Sequence, residues 1–233
     1  MEQIVQFFLE PYQGASTVNI LLELTAAILG VVSVFYAKKE NILVYPTGII
    51  STGIYVYLLS QWNLYGDLII NIYYTLMSIY GWYMWSRVID DEAHHLPVTR
   101  SSRIDKIKAL SIFIFTSIFV IAVYRYYNVM PNSLNFSESV AYAFEKITSG
   151  HLKDFRMATP FMDTFTTGAA FAAMWLMANK KLESWTFWIA VNIVSVPLYF
   201  VKGYGFTGIQ YFIFLVLAIY GYKEWKTSLN KTQ

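Results

Sequence analysis

Between Tyr65 and Trp85 the run YGDLIINIYYTLMSIYGWYMW sets an acid, an amide, phenols and indoles into an apolar background. At 100° per residue, Asp67, Asn71, Tyr74, Ser78, Trp82 and Trp85 share a sector of roughly 80° on one helix face. Leu68, Ile69, Ile72, Leu76, Met77 and Ile79 fill the rest of the wheel. A second face of this kind carries Trp185, Trp188, Asn192, Ser195 and Tyr199, and a third carries Thr207, Gln210, Tyr211 and Phe214. Aromatic faces attract cations through the ring quadrupole, most strongly where water is excluded. Asn and Gln each present donors and an acceptor, which suits hydroxyls, carboxamides and ring nitrogens. Together they make a neutral lining for a small, flat, polar and cationic solute, and a poor one for an inorganic ion or a lipid. Asp67, Asn71, Tyr74, Trp82, Trp185, Trp188, Asn192, Gln210 and Tyr211 are the candidate binding residues. Asp67 is the one carboxylate well placed on these faces, so no acid–base pair for catalysis and no relay for a pump is expected. A proton taken up by Asp67 is the rival reading. Hydrogen bonding between helices is the plainer role for such polar groups.

These faces need helices that cross a membrane. Of the 233 residues, 56% are hydrophobic, 18% aromatic and 14% charged, which excludes an ordinary soluble domain. Apolar runs of about 20 residues recur along the chain, the length that spans a bilayer. They predict an all-α integral membrane protein with seven spans: Val18–Tyr36, Ile42–Ser60, Gly66–Trp85, Ile107–Tyr127, Phe161–Ala178, Ser184–Val201 and Phe206–Glu224. Residues 86–106 read as a polar linker, and within residues 128–160 the stretch Ser137–Ile147 reads as a short amphipathic surface helix. His94 and His95 beside Asp90, Asp91 and Glu92 read as solvated linker, since neighbours on a loop do not easily point at one metal ion. The chain has no cysteine, no phosphate loop and no nucleophile elbow, so no cofactor is expected. A net charge of +2 points to no nucleic-acid partner. The first residues lack the basic region of a signal peptide, so no cleaved leader is expected.

An internal repeat organises the spans. A shift of 140 residues lays Tyr80-Gly81 on Tyr220-Gly221, Trp85 on Trp225, Tyr74 on Phe214 and Glu23 on Asp163. For the second and sixth spans a shift of 144 pairs Ile49 with Ile193, Ser51 with Ser195 and Tyr55 with Tyr199. That places the extra residues in the turn after Gln61. The expected layout is two parallel three-helix repeats, 18–85 and 161–225, joined by a linker helix at 107–127. Lys and Arg divide twelve to five between the two sides, so the N-terminus is expected outside and the C-terminus in the cytoplasm. Small residues at Ala26, Ala27, Gly30, Ser33 and Ala37, and again at Thr166, Thr167, Ala170 and Ala173, mark the first and fifth spans as closely packed scaffold. Glu23 and Asp163 read as anchors at span ends, and Pro197 as a bend in the sixth span.

The run LYGDLIINIYYTLMSIYGWYMW, the turn Gln61-Trp62-Asn63 and the segment WTFWIAVNIVSVPLYFVKG resemble the Pnu-type vitamin transporters. The resemblance covers Glu23 to Trp225, and the Tyr-Gly-Trp-x-x-Trp ending at Tyr80–Trp85 is its most specific part. It implies a multi-pass carrier of the bacterial inner membrane, similar in architecture to the SWEET sugar transporters. It further implies facilitated uptake of nicotinamide riboside, with thiamine or another cationic vitamin as the alternative substrate. Cytoplasmic phosphorylation would then trap the vitamin. Asn71, Tyr74, Trp185, Trp188 and Asn192 match the family's aromatic-amide positions. The partners implied are the vitamin and the lipid bilayer, with a homo-oligomer left open.

Overall fold

The computed structural model describes residues 6–8, 13–62, 65–87 and 96–232. Asn63, Asp90, Asp91, Glu92, His94 and His95 lie outside them. Eight helices of thirteen residues or more follow in order: α1 Thr17–Lys38, α2 Val44–Gln61, α3 Tyr65–Ser86, α4 Arg103–Tyr126, α5 Phe136–Thr148, α6 Leu152–Ala178, α7 Ser184–Lys202 and α8 Gly205–Thr232. Helix α1 packs on α2 and α2 on α3, while α6 packs on α7 and α7 on α8. The two runs meet where α1 lies against α8 and α3 against α6, and both α4 and α5 pack on α6. Among the described residues, α1, α4, α7 and α8 are long and apolar enough to cross a membrane. Helices α2, α3 and α6, of 18, 22 and 27 residues, are diluted by hydroxyls, amides, prolines and aromatics. Exposed Leu21, Leu24 and Ile28 on α1, Ile69, Ile72, Leu76 and Ile79 on α3, and Leu110, Ile114 and Ile118 on α4 form the apolar exterior that lipid requires.

Helix α6 begins nine residues before the expected Phe161 and runs through Pro160. Proline removes its own N–H and leaves the carbonyl four residues back without a partner. That carbonyl belongs to Arg156, and the Thr159 hydroxyl donates to it at 2.9 Å. A neighbouring hydroxyl thus satisfies the freed group, and the helix continues. Helix α7 likewise runs unbroken through Pro197. Helix α5 forms where an amphipathic segment is expected, started by a reciprocal cap in which Asn135 and Glu138 bond each other's backbone. Its Phe136, Val140 and Phe144 stay exposed on one face, the arrangement of a helix lying at an interface.

Positions 140 apart occupy equivalent places at one end of the bundle. The Trp85 indole donates to the carbonyl of Met177 at 3.3 Å, and the Trp225 indole donates to that of Ala37 at 2.9 Å. Tyr45 packs edge-on against Trp85, and Trp185 packs edge-on against Trp225. A Cβ on Gly81 would fall 2.3 Å from the Tyr45 ring, and one on Gly221 would fall 2.6 Å from the Trp185 ring. Only glycine lets these rings approach so closely. The tight turns also correspond: Glu40 and Lys180 both adopt left-handed backbone, with φ of 54° and 48°. The helices that follow start at Val44 and Ser184. The shift of 140 therefore holds through α2 and α7 as well. The 144 register slips by one helical turn.

The same layer joins the C-terminal ends of α1, α3, α6 and α8 to the N-terminal ends of α2 and α7 around Ala37, Tyr45, Trp85, Met177, Trp185 and Trp225. Residues 96–102 are strapped across it. Thr99 N–H donates to the Lys180 carbonyl at 3.0 Å, Leu182 N–H donates to the Thr99 carbonyl at 2.9 Å, and Val98 is buried beneath. The Ser101 hydroxyl and backbone N–H both donate to one Glu183 carboxylate oxygen, at 2.7 Å each. Burial opposes ionisation of Glu183, but the Ser101 hydrogen bonds outweigh it and hold the carboxyl below its ordinary range.

Candidate functional site

The first and second helix faces converge where α3 meets α6 and α7. Tyr74 of α3 and Trp188 of α7 pack against one small cluster of Ala169, Ala170 and Val191. Tyr73 stacks flat on Phe171 at 3.7 Å between ring centres, and its hydroxyl donates to the Phe171 carbonyl at 3.0 Å. This contact fixes α3 on α6 and presents Tyr74 beside it. Asn192, beside Val191 on α7, is 3% exposed, and its amide makes no hydrogen bond among the described residues. A buried amide costs free energy unless something pairs with it. What would pair with Asn192 is a ligand or water.

A tyrosine group continues from this point. Tyr199 of α7 and Tyr211 of α8 stack at 4.8 Å with planes 15° apart, and Phe214 meets Tyr211 edge-on at 5.9 Å. Tyr74, Tyr199 and Tyr211 lie close enough to feel one another or Asp67 electrostatically, so the four are neighbours. The three tyrosines are half-buried and Asp67 is exposed. Near Asp67, Lys202 pairs with Asp163 at 2.6 Å, and the Tyr124 hydroxyl reaches Asp163 at 3.4 Å.

The structure thus brings Asp67, Tyr74, Trp188, Asn192 and Tyr211 to one interior region and disperses the other candidates. Trp185 is 1% exposed in the indole layer near the end of the bundle, where it packs the core. The correction has a simple cause: a helical wheel gives direction but not depth, and Trp185 sits in the first turn of α7. Trp82 is 42% exposed on the outer surface. It stood at the edge of its sector, and a helix so near its end leaves that edge uncovered. The Asn71 side-chain amide donates to the Asp67 carbonyl of its own helix at 2.9 Å. Gln210 donates to the Ala27 carbonyl at 3.3 Å and so closes the seam between α8 and α1. Sequence reasoning placed Tyr199 on the right face without choosing it. It read Asp163 as an anchor and overlooked Lys202, because the 39 residues between them give no local signal.

Two open recesses lie elsewhere. One of about 490 Å³ is an apolar groove between α4 and the α6–α7 pair, lined by Ala109, Phe113, Phe165, Ala169, Phe187 and Ala190 among others. The other, about 350 Å³, is a charged cleft among Lys38, Lys39, Glu40, Lys223, Glu224 and Lys231. None of the candidate binding residues lines either one.

Comparison with known proteins follows the same lines. Residues 20–227 match the family model described as nicotinamide mononucleotide transporter. The chain is 24% identical over 215 residues to the nicotinamide riboside transporter PnuC of Escherichia coli (strain K12), covering 90% of this chain and 87% of that one. Identity to the riboflavin/roseoflavin transporter RibM of Streptomyces davaonensis is 23% over 203 residues, covering 87% and 83% of the two chains. The crystal structure of the vitamin B3 transporter PnuC superposes with a TM-score of 0.63 at 18% identity, covering 99% of this chain and 91% of that one. That last likeness establishes a shared fold.

Proposed function

The chain belongs to the nicotinamide mononucleotide transporter family, and on that premise we propose that it takes up nicotinamide riboside across the bacterial inner membrane by facilitated diffusion. The observation that carries this reading is the Asn192 side-chain amide, without a hydrogen-bond partner among the described residues and one helical turn from Trp188. An aromatic face and a free amide at one depth suit a flat cationic ring bearing a carboxamide. In this reading Trp188 faces the ring, Asn192 and Asn71 take polar substituents, and Tyr74, Tyr211 and Asp67 line the path. Gln210 holds the neighbouring wall, Trp185 supports Trp188 from below, and Trp82 faces lipid. Phosphorylation in the cytoplasm makes net uptake one-way. Riboflavin is the second reading, favoured by a similarity to RibM only a little smaller than that to PnuC, and thiamine is the third. Calorimetry comparing the three vitamins on purified protein decides among them.

The layout proposed is seven spans in two parallel three-helix repeats, α1–α3 and α6–α8, with α4 as the linker. The equivalence of positions 140 apart supports it, and such repeats place substrate sites at their interface. Exchange of labelled for unlabelled vitamin across sealed vesicles is expected to proceed with no proton or sodium gradient, since the lining lacks a paired ionisable relay. Exchange that occurs only when a gradient is imposed would refute uniport.

The twelve-to-five division of Lys and Arg supports an outside N-terminus and a cytoplasmic C-terminus. Single cysteines report it cleanly because the chain has none of its own. Ser101, an obvious cytoplasmic probe from sequence, is buried on Glu183 and would resist labelling for that reason alone. Exposed Thr227 and Ser133 serve instead. In intact cells a cysteine at Ser133 is expected to react with an impermeant maleimide and one at Thr227 to be spared; the reverse pattern inverts the topology.

A further inference from the structure

Beside Asp67 and the stacked Tyr199 and Tyr211 stands a positive charge belonging to the protein. The ammonium of Lys202, the last residue of α7, donates to both carboxylate oxygens of Asp163 on α6, at 2.7 and 2.6 Å. It also lies 5.5 Å from the centre of the Tyr199 ring, and Tyr199 is the ring stacked on Tyr211. Asp67 interacts electrostatically with both members of the pair. The two side chains are 29% and 17% exposed, so the pair stands at the boundary of the bundle, neither free in solvent nor sealed within it. A carboxylate and an aromatic face around an ammonium are the parts from which a site for an organic cation is built. Here a tethered lysine already fills it. Of the other cations at this end, Arg125 donates to the Leu134 carbonyl, Lys146 pairs with Glu145 and Asp154 on the surface, and Lys153 and Arg156 are exposed.

We propose that Lys202 is a charge-selective gate, a built-in stand-in for the substrate's cation that is displaced when an organic cation enters. The inference rests on the reading that the substrate is a vitamin of the nicotinamide riboside type, and it adds what selects the charge. Moving the lysine away alone leaves Asp163 and Asp67 without compensation in a partly desolvated place, which is costly. An entering pyridinium supplies the missing charge at the same carboxylate and the same aromatic face, so one cation is exchanged for another. A neutral molecule of the same shape brings no such compensation and leaves the pair closed.

The test uses two probes that share ribose and carboxamide but differ in charge: nicotinamide riboside and its neutral 1,4-dihydro form. On purified, thermally intact protein, Lys202→Met removes the competing ammonium and leaves both carboxylates. Binding of the cationic form is expected to tighten about tenfold, the effect of about 1.4 kcal/mol of relieved repulsion, while the neutral form changes little. Lys202→Arg keeps the charge and is expected to retain the original preference. Asp163→Asn removes the counter-charge and is expected to weaken the cationic form selectively. A measurement on the unmodified protein guards against a variant that does not fold: vesicle exchange is expected to be faster for the cationic form than for the neutral one. Equal exchange of the two forms, or a Lys202→Met effect shared equally by both, would overturn the gate while leaving vitamin transport intact. Failure of the cationic form to bind the unmodified protein would overturn the substrate reading and the gate with it.

Discussion

Alanine at Trp225 is expected to destabilise the protein by about 3–5 kcal/mol, the range for deleting a fully buried large aromatic side chain. Trp225 is 0% exposed, touches the rings of Trp85 and Trp185, and donates its indole N–H to Ala37 at 2.9 Å. Its removal opens a cavity at the junction of α1, α7 and α8 and leaves the Ala37 carbonyl with the Glu40 N–H, at 3.1 Å, in place of two donors. Trp225→Phe keeps most of the ring but loses the donor, so its cost is expected to be nearer 1 kcal/mol. Trp85→Ala at the equivalent position is expected to behave similarly. Because the two rings lie 5.9 Å apart, the double variant should lose less than the sum of the singles. Thermal unfolding of the detergent-purified protein reads all four. A Trp225→Ala protein that melts with the unmodified one would mean that this layer is not what holds the helices together.

Leucine at Asn192 is expected to separate binding from stability. The substitution nearly preserves volume and removes a buried amide that has no hydrogen-bond partner among the described residues. Folding stability should therefore hold or rise. A ligand group that pairs with that amide would instead lose its partner inside a desolvated site, at about 1–3 kcal/mol, or roughly five- to more than a hundredfold in affinity. Trp188→Ala is the companion variant, with a loss of about 1–2 kcal/mol from the cation–π contact. Calorimetry with nicotinamide riboside and a melting curve on the same preparation suffice. An Asn192→Leu protein that binds normally would remove Asn192 from the site.

The helices were legible because their apolar periodicity is strong, and α5 because its cap and its apolar stripe agree. The repeat was legible in Tyr-Gly and Trp, residues that the indole layer requires at both copies. It was misread in α2 and α7 because the structural partner of Tyr45 is Trp185, a pair that no identity reveals. A slip of four residues turns a helix by only about 40° and keeps the same face forward, so the wrong register looked equally good. The same limit explains the site. The wheel gave directions for Tyr74, Trp188, Asn192 and Tyr211, and depth sets Trp185 and Trp82 apart from them. The Lys202–Asp163 pair joins two helices, and no local pattern in the sequence encodes that meeting.

The strap over residues 96–102 has a kinetic meaning. It crosses the end of the bundle already fastened by two indole hydrogen bonds and by the Lys38–Glu224 and Lys180–Glu40 ion pairs. At the opposite end the Lys202–Asp163 pair ties α7 to α6. The bundle is therefore stitched like the spine of a book, and the low-energy motion is to part the pages. A helix of 22 residues such as α1 is about 33 Å long, so a tilt of about 5° about the spine moves its free end by about 3 Å. Parting the spine instead demands that several buried bonds break together. A carrier hinged in this way opens and closes at the edge that Lys202 and Asp163 span.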